Sequence, residues 1–159
     1  LLSRELGEVR AFISQLRPPI LADLGLEGAI RDSAGQIGAI LGIPVTVEID
    51  PAISELGEAM ETVALRIVQE ALHNVRKHAD AGRISIRAAR RDGEWVVEVQ
   101  DDGRGFDVGA VAARGRRNFG LQFMRERAEL IGATFEVRSR PDGGTVVRIA
   151  IPGGTEESR

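Results

Sequence analysis

The sequence has no cysteine and no tyrosine, one tryptophan and two histidines among its 159 residues. The absence of cysteine excludes disulfide bonds and thiolate metal sites. No apolar run reaches the roughly 18 residues of a membrane-spanning helix, and no signal peptide is visible. A net charge of −3 argues against a whole-domain nucleic-acid binder, whose surface would be strongly basic. The composition favours one globular domain with a hydrophobic core, or one such domain with an appendage.

The first residues of the chain predict a helix that needs a partner helix. Apolar side chains recur at spacings of three and four, which is the seam of an amphipathic helix: Leu2, Leu6, Val9, Ile13 and Leu16. Pro18 and Pro19 end this helix because proline lacks the amide hydrogen and clashes with the preceding turn. Since the chain opens with Leu1 and starts directly in this pattern, we expect it to be a piece of a longer polypeptide.

The remaining pattern mixes helices and strands. Helical periodicity predicts helices over about 26–41, 58–78 and 120–132, and alternation predicts strands over 43–49, 83–89, 95–100, 134–140 and 145–151. Asp92-Gly93 joins two of these strands as a hairpin. Residues 102–118 form a polar loop that is too long to be a simple connector. The order predicts an α+β two-layer sandwich. About three helices should cover one face of a mixed sheet of about five strands.

The strand "WVVEVQ" runs into "DDGRGF", and strand geometry distinguishes the two aspartates. Side chains alternate across a strand, so one face carries Trp95, Val97, Val99 and Asp101, and the other carries Glu98, Gln100 and Asp102. The first face is apolar and must point to the core. Asp101 is therefore the inward carboxylate, and it needs a hydrogen-bond donor because burying an isolated charge is costly. An exocyclic amine of a ligand would serve.

Two motif templates for this glycine-rich loop fail. A calcium loop that starts at Asp101 needs oxygen ligands at the positions of Gly103, Gly105 and Ala112. A dinucleotide fingerprint needs a third glycine where Val108 stands, with a helix directly after it. A simple glycine-rich turn remains as the alternative to a ligand site.

A second polar cluster lies on the helix predicted over 58–78. Glu70 and Asn74 are four residues apart and share one helical face, with Lys77 and His78 one turn further on. A carboxylate and an amide oxygen suit a hard cation such as Mg²⁺, and a lysine suits phosphate. The alternative is a solvated helix face. Zinc is disfavoured because the chain has no cysteine and no histidine pair at i and i+4.

The third cluster is basic and precedes a helix. Arg114, Arg116 and Arg117 stand shortly before Gly120, where the predicted helix begins with free backbone amides. A helix N-terminus with arginines in the preceding loop favours phosphate. Nucleic acid is the weaker interpretation because aromatic stacking residues are nearly absent.

These clusters, in this order, resemble the nucleotide-binding domain shared by sensor histidine kinases, type II topoisomerases, the heat-shock ATPase chaperone and mismatch-repair ATPases. "EALHN" resembles the asparagine box of that family, "DDGRGF" its first glycine box, "FGLQFM" its second and "GGT" at 143–145 its third. The resemblance implies the Bergerat ATP-binding fold, an α+β sandwich of the kind expected above. The flanking segments "LRPPILADLGLEGAI" and "GLQFMRERAELIGA" further resemble histidine kinases of the nitrate-sensor type.

The resemblance implies roles for residues at the base of the nucleotide. Asp101 would accept a hydrogen bond from the adenine amino group of ATP, and Thr145 would support that contact through water. Gly103 and Gly105 would make room for the base. The same boxes add two further nucleotide-binding residues, Phe106 and Gly144.

The resemblance also implies roles at the phosphates. Asn74 would hold Mg²⁺, with Glu70 beside it as orienter or general base. Lys77 and His78 would reach the phosphates or the ribose. Two residues of the second box would close a lid over the phosphates, Gly120 and Leu121.

Two features of the chain differ from what a complete kinase of this family carries. Asn118 and Phe123 stand at positions of the second glycine box that usually hold glycine, which concerns the conformation of the lid. In this family the phosphorylated histidine lies in an acid-flanked motif on the first dimerisation helix. Neither His73 nor His78 has that setting, so the phosphoacceptor is expected outside this chain, upstream of Leu1.

The resemblance thus implies the catalytic domain of a sensor histidine kinase over residues 20–152, between the end of a dimerisation and phosphotransfer helix over 1–19 and a polar tail over 153–159. Its expected ligands are ATP and Mg²⁺. Its expected partners are its own dimerisation domain, a second copy in the full-length protein, and a response regulator with helix-turn-helix output. The expected location is the cytoplasm, whether or not the parent protein is anchored in a membrane. An anti-sigma-factor serine kinase of the same fold and a nucleotide-responsive binding module without turnover are the alternatives.

Overall fold

The structure is a computed structural model that describes residues 17–115 and 120–153. Several predictions concern residues outside these ranges: the helix from Leu2 to Leu16, the phosphate contacts of Arg116 and Arg117, the departure at Asn118, and the tail beyond residue 153. They stay predictions. None of the helices in the described ranges is long and apolar enough to cross a membrane.

Five strands form one mixed sheet: β1 Val45–Ile49, β2 Ile84–Arg91, β3 Glu94–Asp101, β4 Thr134–Ser139 and β5 Thr145–Pro152. Their spatial order is β1-β2-β3-β5-β4. β1 and β2 are parallel, and every other neighbouring pair is antiparallel. Asp92 and Gly93 both have positive φ, as the predicted tight hairpin between β2 and β3 requires. The predicted mixed sheet is confirmed.

The helices pack on one face of this sheet: α1 Pro19–Leu41, α2 Glu58–Asn74, α3 Val108–Ala112 and α4 Leu121–Leu130. α2 lies against β3 and β5 and contacts both α1 and α4. α1 also packs on β1, and α4 packs on β4. Val63, Ile67 and Ala71 belong to the apolar stripe that buries α2 in the core. The fold is the predicted two-layer α+β sandwich, and α2 occupies its centre.

α1 begins earlier than the periodicity predicts. It starts at Pro19, because proline fits the first turn of a helix, where its missing amide hydrogen is not needed. Gly25, with φ 70° and ψ 178°, interrupts α1 just before the predicted start at Leu26. Pro19 therefore opens a helical segment that the apolar pattern does not predict. Gly42 ends α1 in the left-handed conformation, with φ 65°.

The helix predicted over 58–78 changes character near its end. It is α-helical to Asn74 and continues as a π-helical turn over Val75–Ala79. π-helical turns are rare and occur frequently at functional sites. The turn shifts the side chains that follow Asn74 relative to the face that a regular α-helix would present.

The loop predicted over 102–118 is not wholly irregular. It contains α3, whose N-terminus is capped by the Asp107 carboxylate, which accepts the amide hydrogen of Ala110 at 2.9 Å. A short 3-10 helix over Pro51–Glu55 is a second element that alternation and periodicity do not predict. Both elements are only five residues long, too short for a periodic signal.

Candidate functional site

A cavity of about 300 Å³ opens between α2 with its π-helical turn and the ends of β3 and β5. Its walls are mostly apolar: Ala71, Val75, Ala79, Val99, Phe106, Leu121 and Val147. The remaining lining residues are Asn74, His78, Asp101, Arg104, Gly105 and Thr145. A concave site with apolar walls and a few polar groups is the usual form of a small-molecule pocket.

Asp101 lies at the polar end of this cavity. Trp95 and Val99, which share its face of β3, are buried, and Asp101 itself is only 7% exposed. Its Oδ1 accepts a hydrogen bond of 2.8 Å from the amide of Gly103. Burial raises the pKa of the Asp101 carboxyl; the Gly103 hydrogen bond opposes this rise, and the charge of Asp102 adds to it. Strand alternation therefore identifies the inward carboxylate correctly.

Asp102 has the opposite environment. Its carboxylate is exposed, and its Oδ1 accepts the amide hydrogens of Gly82 at 2.8 Å and of Arg83 at 2.9 Å. The bond from Arg83, followed by that from Gly82, lowers the pKa of Asp102 below its ordinary value. Asp102 thus holds the loop before β2 and does not line the cavity.

Glycines in the first and third boxes allow backbone segments to meet at the site. A Cβ on Gly103 would collide with the carbonyl oxygen of Ala79, at the end of the π-helical turn. A Cβ on Gly105 would collide with carbonyl oxygens of the turn before β5, and one on Gly144 with the carbonyl oxygen of Asp101. Backbone contacts therefore require glycine at positions 103 and 105, and Gly105 also lines the cavity. The role of these two glycines in making room for a base stays a prediction.

A serine hydroxyl outside every predicted motif joins three parts of the site. Ser139, the last residue of β4, accepts the amide hydrogen of Phe106 at 2.9 Å. Its Oγ lies 2.9 Å from the carbonyl oxygen of Gly144 and 2.8 Å from Oγ1 of Thr145. The only sequence signal for Ser139 is its place at the end of a strand that pairs with the third box, which the β4–β5 register makes visible.

The polar residues predicted on α2 and its π-helical turn divide into two pairs. Asn74 and His78 line the cavity, whereas Glu70 and Lys77 do not. Lys77 is exposed and directly precedes His78 in the chain. Glu70 packs against Gly120, where a Cβ would collide with the Glu70 carboxylate. This contact places the start of α4 beside the face of α2 that carries Glu70 and Asn74.

His78 is held in its neutral form near neutral pH. Burial, followed by the electrostatic influence of Lys77, His73 and Arg104, lowers the pKa of His78 below its ordinary value of 6.5. The π-helical turn is also fixed by Arg104, whose Nε donates to the carbonyl oxygen of His78 at 2.8 Å and whose amide donates to that of Ala79 at 2.8 Å. His78 therefore offers a neutral imidazole to a ligand, and not a cation.

The residues on α2 offer limited metal-binding capacity. Across 17–115 and 120–153, no group of three or more His, Cys, Asp or Glu side chains could hold a metal ion. Glu70 and Asn74 form a set with one carboxylate and one amide oxygen donor. Such a set suits a cation that takes its other ligands from water and from substrate phosphates, as Mg²⁺ does.

The comparison with known families covers the whole of this site. The family described as histidine kinase-, DNA gyrase B- and HSP90-like ATPases matches residues 60–155. That range contains every predicted site residue, from Glu70 on α2 to Thr145 on β5. The chain belongs to this ATPase family.

Relatives of this ATPase domain include two bacterial signalling proteins. DegS of Brevibacillus brevis, a signal transduction histidine-protein kinase/phosphatase, is 34% identical over 96% of this chain and 39% of its own length. The sensor protein VraS of Staphylococcus aureus is 32% identical over 95% of this chain and 42% of its own length. The chain thus spans about two fifths of the length of these relatives.

A solved structure supports the same fold. The histidine kinase domain of a blue-light-activated histidine kinase from Erythrobacter litoralis superimposes with a TM-score of 0.64 at 27% sequence identity. The superposition covers 80% of this chain and 60% of that one. The ATPase domain therefore shares its α+β sandwich with histidine kinase domains.

The second glycine box of the ATPase domain is described only from Gly120 onward. Gly120 has φ 69° and directly precedes α4, and Leu121 is buried in the cavity wall. Phe123, which replaces a usual glycine, is 43% exposed. Its ring lies 4.0 Å from the guanidinium carbon of Arg127. The phenylalanine thus projects from the outer side of α4 and does not enter the cavity.

A second cavity of about 490 Å³ lies on the other face of the sheet. Its lining is mostly polar or charged, and includes Thr46, Arg83, Arg87 and Gln100. It is larger than the first cavity, and Asp101 lines both, but Asn74, His78 and Leu121 line the first cavity and not the second. The first cavity, which brings together Asp101 with these three predicted residues, is therefore the candidate nucleotide site.

Proposed function

We propose that this chain is the ATP-binding catalytic domain of a sensor histidine kinase, extending over residues 20–152. The observation that carries the proposal is the inward carboxylate of Asp101 at the end of an apolar cavity, in a chain of the ATPase family. The relatives named above are histidine kinases or sensor proteins, which supports the kinase reading over the serine-kinase alternative. Residues 1–19 would be the end of a dimerisation and phosphotransfer helix.

The adenine ring of ATP would enter between the apolar walls of the cavity. Val99, Leu121 and Val147 offer apolar surface to a planar ring. Asp101 would accept a hydrogen bond from the exocyclic amine, which gives the buried carboxylate the donor that its burial demands. The low exposure of this carboxylate makes the contact strong, because it is shielded from water.

Mg²⁺ and the phosphates would occupy the side of α2. The Asn74 amide oxygen would bind the cation, with Glu70 beside it as orienter or general base. Mg²⁺ would supply neutralisation of the phosphate charge. Lys77, which is exposed and directly precedes His78, would offer positive charge to the phosphates. Because His78 is neutral, we expect it to contact the ribose or a phosphate by hydrogen bonding and not by charge.

Removal of the proposed metal ligand tests this arrangement. In Asn74→Ala we expect the Mg²⁺-dependent part of ATP affinity to be lost, a weakening of about tenfold or more, because an amide oxygen no longer reaches the cation. ATP should be titrated calorimetrically with MgCl₂ and with EDTA. His73→Ala is the matched control, since His73 is the exposed neighbour on the same helix. If the ratio of the ATP affinities measured with MgCl₂ and with EDTA is the same in Asn74→Ala as in the original chain, Asn74 is not a metal ligand.

The reaction of the whole protein would be transfer of the ATP γ-phosphoryl to a histidine outside this chain. The protein would then pass the group to an aspartate of a response regulator with helix-turn-helix output. Catalysis of this kind rests on positioning and charge stabilisation. The whole protein would act as a homodimer of the nitrate-sensor type, with this domain in the cytoplasm.

A labelling experiment on the full-length protein distinguishes the candidate functions. With ATP labelled at the γ-phosphate, we expect a protein-bound phosphate that is labile in acid and stable in alkali, as a phosphoramidate is. Acid-stable label on serine would favour the serine-kinase alternative. ATP binding without any label would favour a nucleotide-responsive module. The Asp101→Asn variant of the full-length protein is the control and should carry no label.

A further inference from the structure

The hydroxyl of Ser139 makes three polar contacts at the edge of the cavity. The amide nitrogen of Phe106 lies 2.9 Å from Ser139 Oγ. The carbonyl oxygen of Gly144 lies 2.9 Å from the same Oγ, and the Thr145 hydroxyl lies 2.8 Å from it. Ser139 and Thr145 face each other in the β4–β5 register, and Thr145 faces Asp101 in the β3–β5 register.

Only one placement of hydrogens satisfies all three contacts. A hydroxyl has one hydrogen to donate and two lone pairs that can accept. The Phe106 amide can only donate, so it uses one lone pair of Ser139. The Gly144 carbonyl can only accept, so it takes the single hydrogen of Ser139. The hydrogen between Ser139 and Thr145 must therefore come from Thr145, which fills the second lone pair of Ser139.

This placement makes the Thr145 hydroxyl a hydrogen-bond acceptor toward the cavity. Its only hydrogen points to Ser139, so the hydroxyl offers lone pairs alone to a ligand or to a bridging water. Asp101, when ionised, also accepts only, and one of its oxygens already receives the Gly103 amide. Both side chains line the same cavity. These two neighbours therefore present acceptors and no donor.

We propose that Ser139 is a specificity-determining positioning residue, which acts by holding the Thr145 hydroxyl as an acceptor. The inference rests on the proposed nucleotide site and deepens it. A cavity end that offers Asp101 and Thr145 as acceptors matches a nucleobase with an exocyclic amine at this edge. It opposes a base with a carbonyl oxygen there, because that oxygen would face two acceptors and lose the hydrogen bonds it had in water.

Comparison of ATP with inosine triphosphate measures this effect, because inosine carries a carbonyl where adenosine carries the amine. We expect the chain to prefer ATP by about 100-fold. In Ser139→Ala the Thr145 hydroxyl is released, so it can turn and donate to the inosine carbonyl. The preference should then fall by about tenfold, chiefly because inosine triphosphate binds better relative to ATP. Ser139→Thr keeps a hydroxyl and should keep the preference.

A purely structural role of Ser139 predicts a different result. Loss of the bond to the Phe106 amide would loosen the loop and weaken both nucleotides by the same factor, with the preference unchanged. A double-mutant cycle separates the two roles. In a Thr145→Val background, Ser139→Ala should not change the preference further, because Ser139 acts through the Thr145 hydroxyl. A further change in that background would overturn the proposal.

The outcomes also distinguish this inference from the proposed function. If the chain binds ATP but Ser139→Ala leaves the ratio of the two affinities unchanged, the inference is wrong and the ATP site stands. If the chain binds neither nucleotide, both are wrong. Should Ser139→Ala fail to fold, Ser139→Cys serves in its place. Its thiol is a weak hydrogen-bonding group, so the preference for ATP should still fall.

Discussion

Asp101→Asn is expected to abolish detectable ATP binding, with a loss of affinity of about 100-fold or more. The asparagine oxygen can keep the hydrogen bond from the Gly103 amide, which is 2.8 Å long in the structure. The amide nitrogen must then occupy the place of the second carboxylate oxygen. A donor there would face the adenine amine, which is also a donor. The variant therefore loses the recognition contact while its side chain keeps nearly the same shape.

The same substitution should leave the fold at least as stable. Burial raises the pKa of the Asp101 carboxyl above its ordinary value of 3.8. The folded state therefore holds the proton more tightly than the unfolded chain, and stability falls as the pH rises above 3.8 toward the higher folded-state pKa. At neutral pH the ionised carboxylate is unfavourable for folding, so a neutral asparagine should not lower the melting temperature. Thermal unfolding without nucleotide measures this.

Asp102→Asn is the matched control. Both backbone hydrogen bonds of Asp102 go to one oxygen, Oδ1, and an asparagine oxygen can accept both of them. Asp102 does not line the cavity. ATP affinity of this variant should stay within about threefold of the original. Equal loss of ATP binding in Asp101→Asn and Asp102→Asn would contradict the assignment of the inward carboxylate.

Gly144→Ala should give the second large effect, on stability and on binding together. Gly144 has φ 71°, which costs a residue with a side chain about 1–2 kcal/mol. Its Cβ would also collide with the carbonyl oxygen of Asp101. Relief of that collision must move the end of β3 away from β5. We expect a total destabilisation of about 3 kcal/mol or more and weaker ATP binding, because Asp101 moves with its backbone.

Gly93→Ala separates backbone strain from the collision. Gly93 has φ 78°, close to that of Gly144, but no atom lies within 4 Å of the position a Cβ would take. Its destabilisation should be limited to about 1–2 kcal/mol, with ATP affinity unchanged. Chemical denaturation of both variants gives the comparison. If the two substitutions lower the free energy of unfolding by the same amount, the contact between Gly144 and the Asp101 carbonyl does not matter for stability.

The sheet and the inward aspartate could be predicted from the sequence because both depend on local periodicity. Apolar and polar side chains alternate clearly along β3, with Trp95 and Val99 on one face and Glu98 and Gln100 on the other. A single geometric rule then places Asp101 on the core side. The start of α1 could not be predicted in this way. Pro19 fits both the end of one helix and the first turn of the next, and only the packing of the chain decides between them.

The parts of the site that escaped prediction depend on contacts between distant segments. Ser139 lies 33 residues from Phe106 in the chain, and a serine at the end of a strand carries no signal of its own. Gly103 is a predicted site residue, but the contact that requires glycine there, with the carbonyl oxygen of Ala79, comes from a segment that only the folded chain brings to it. The π-helical turn after Asn74 is likewise fixed by Arg104, from a different segment. Such constraints become visible only from the strand register and the tertiary contacts.

A crystal structure of the chain with Mg²⁺ and a non-hydrolysable ATP analogue would test the assignment of the site most directly. We predict that the adenine amino nitrogen lies within about 3.2 Å of an Asp101 carboxylate oxygen, in the cavity between α2 and β3. Mg²⁺ should lie beside Asn74. An adenine ring bound in the second cavity, next to Arg83 and Asp102, would contradict the assignment.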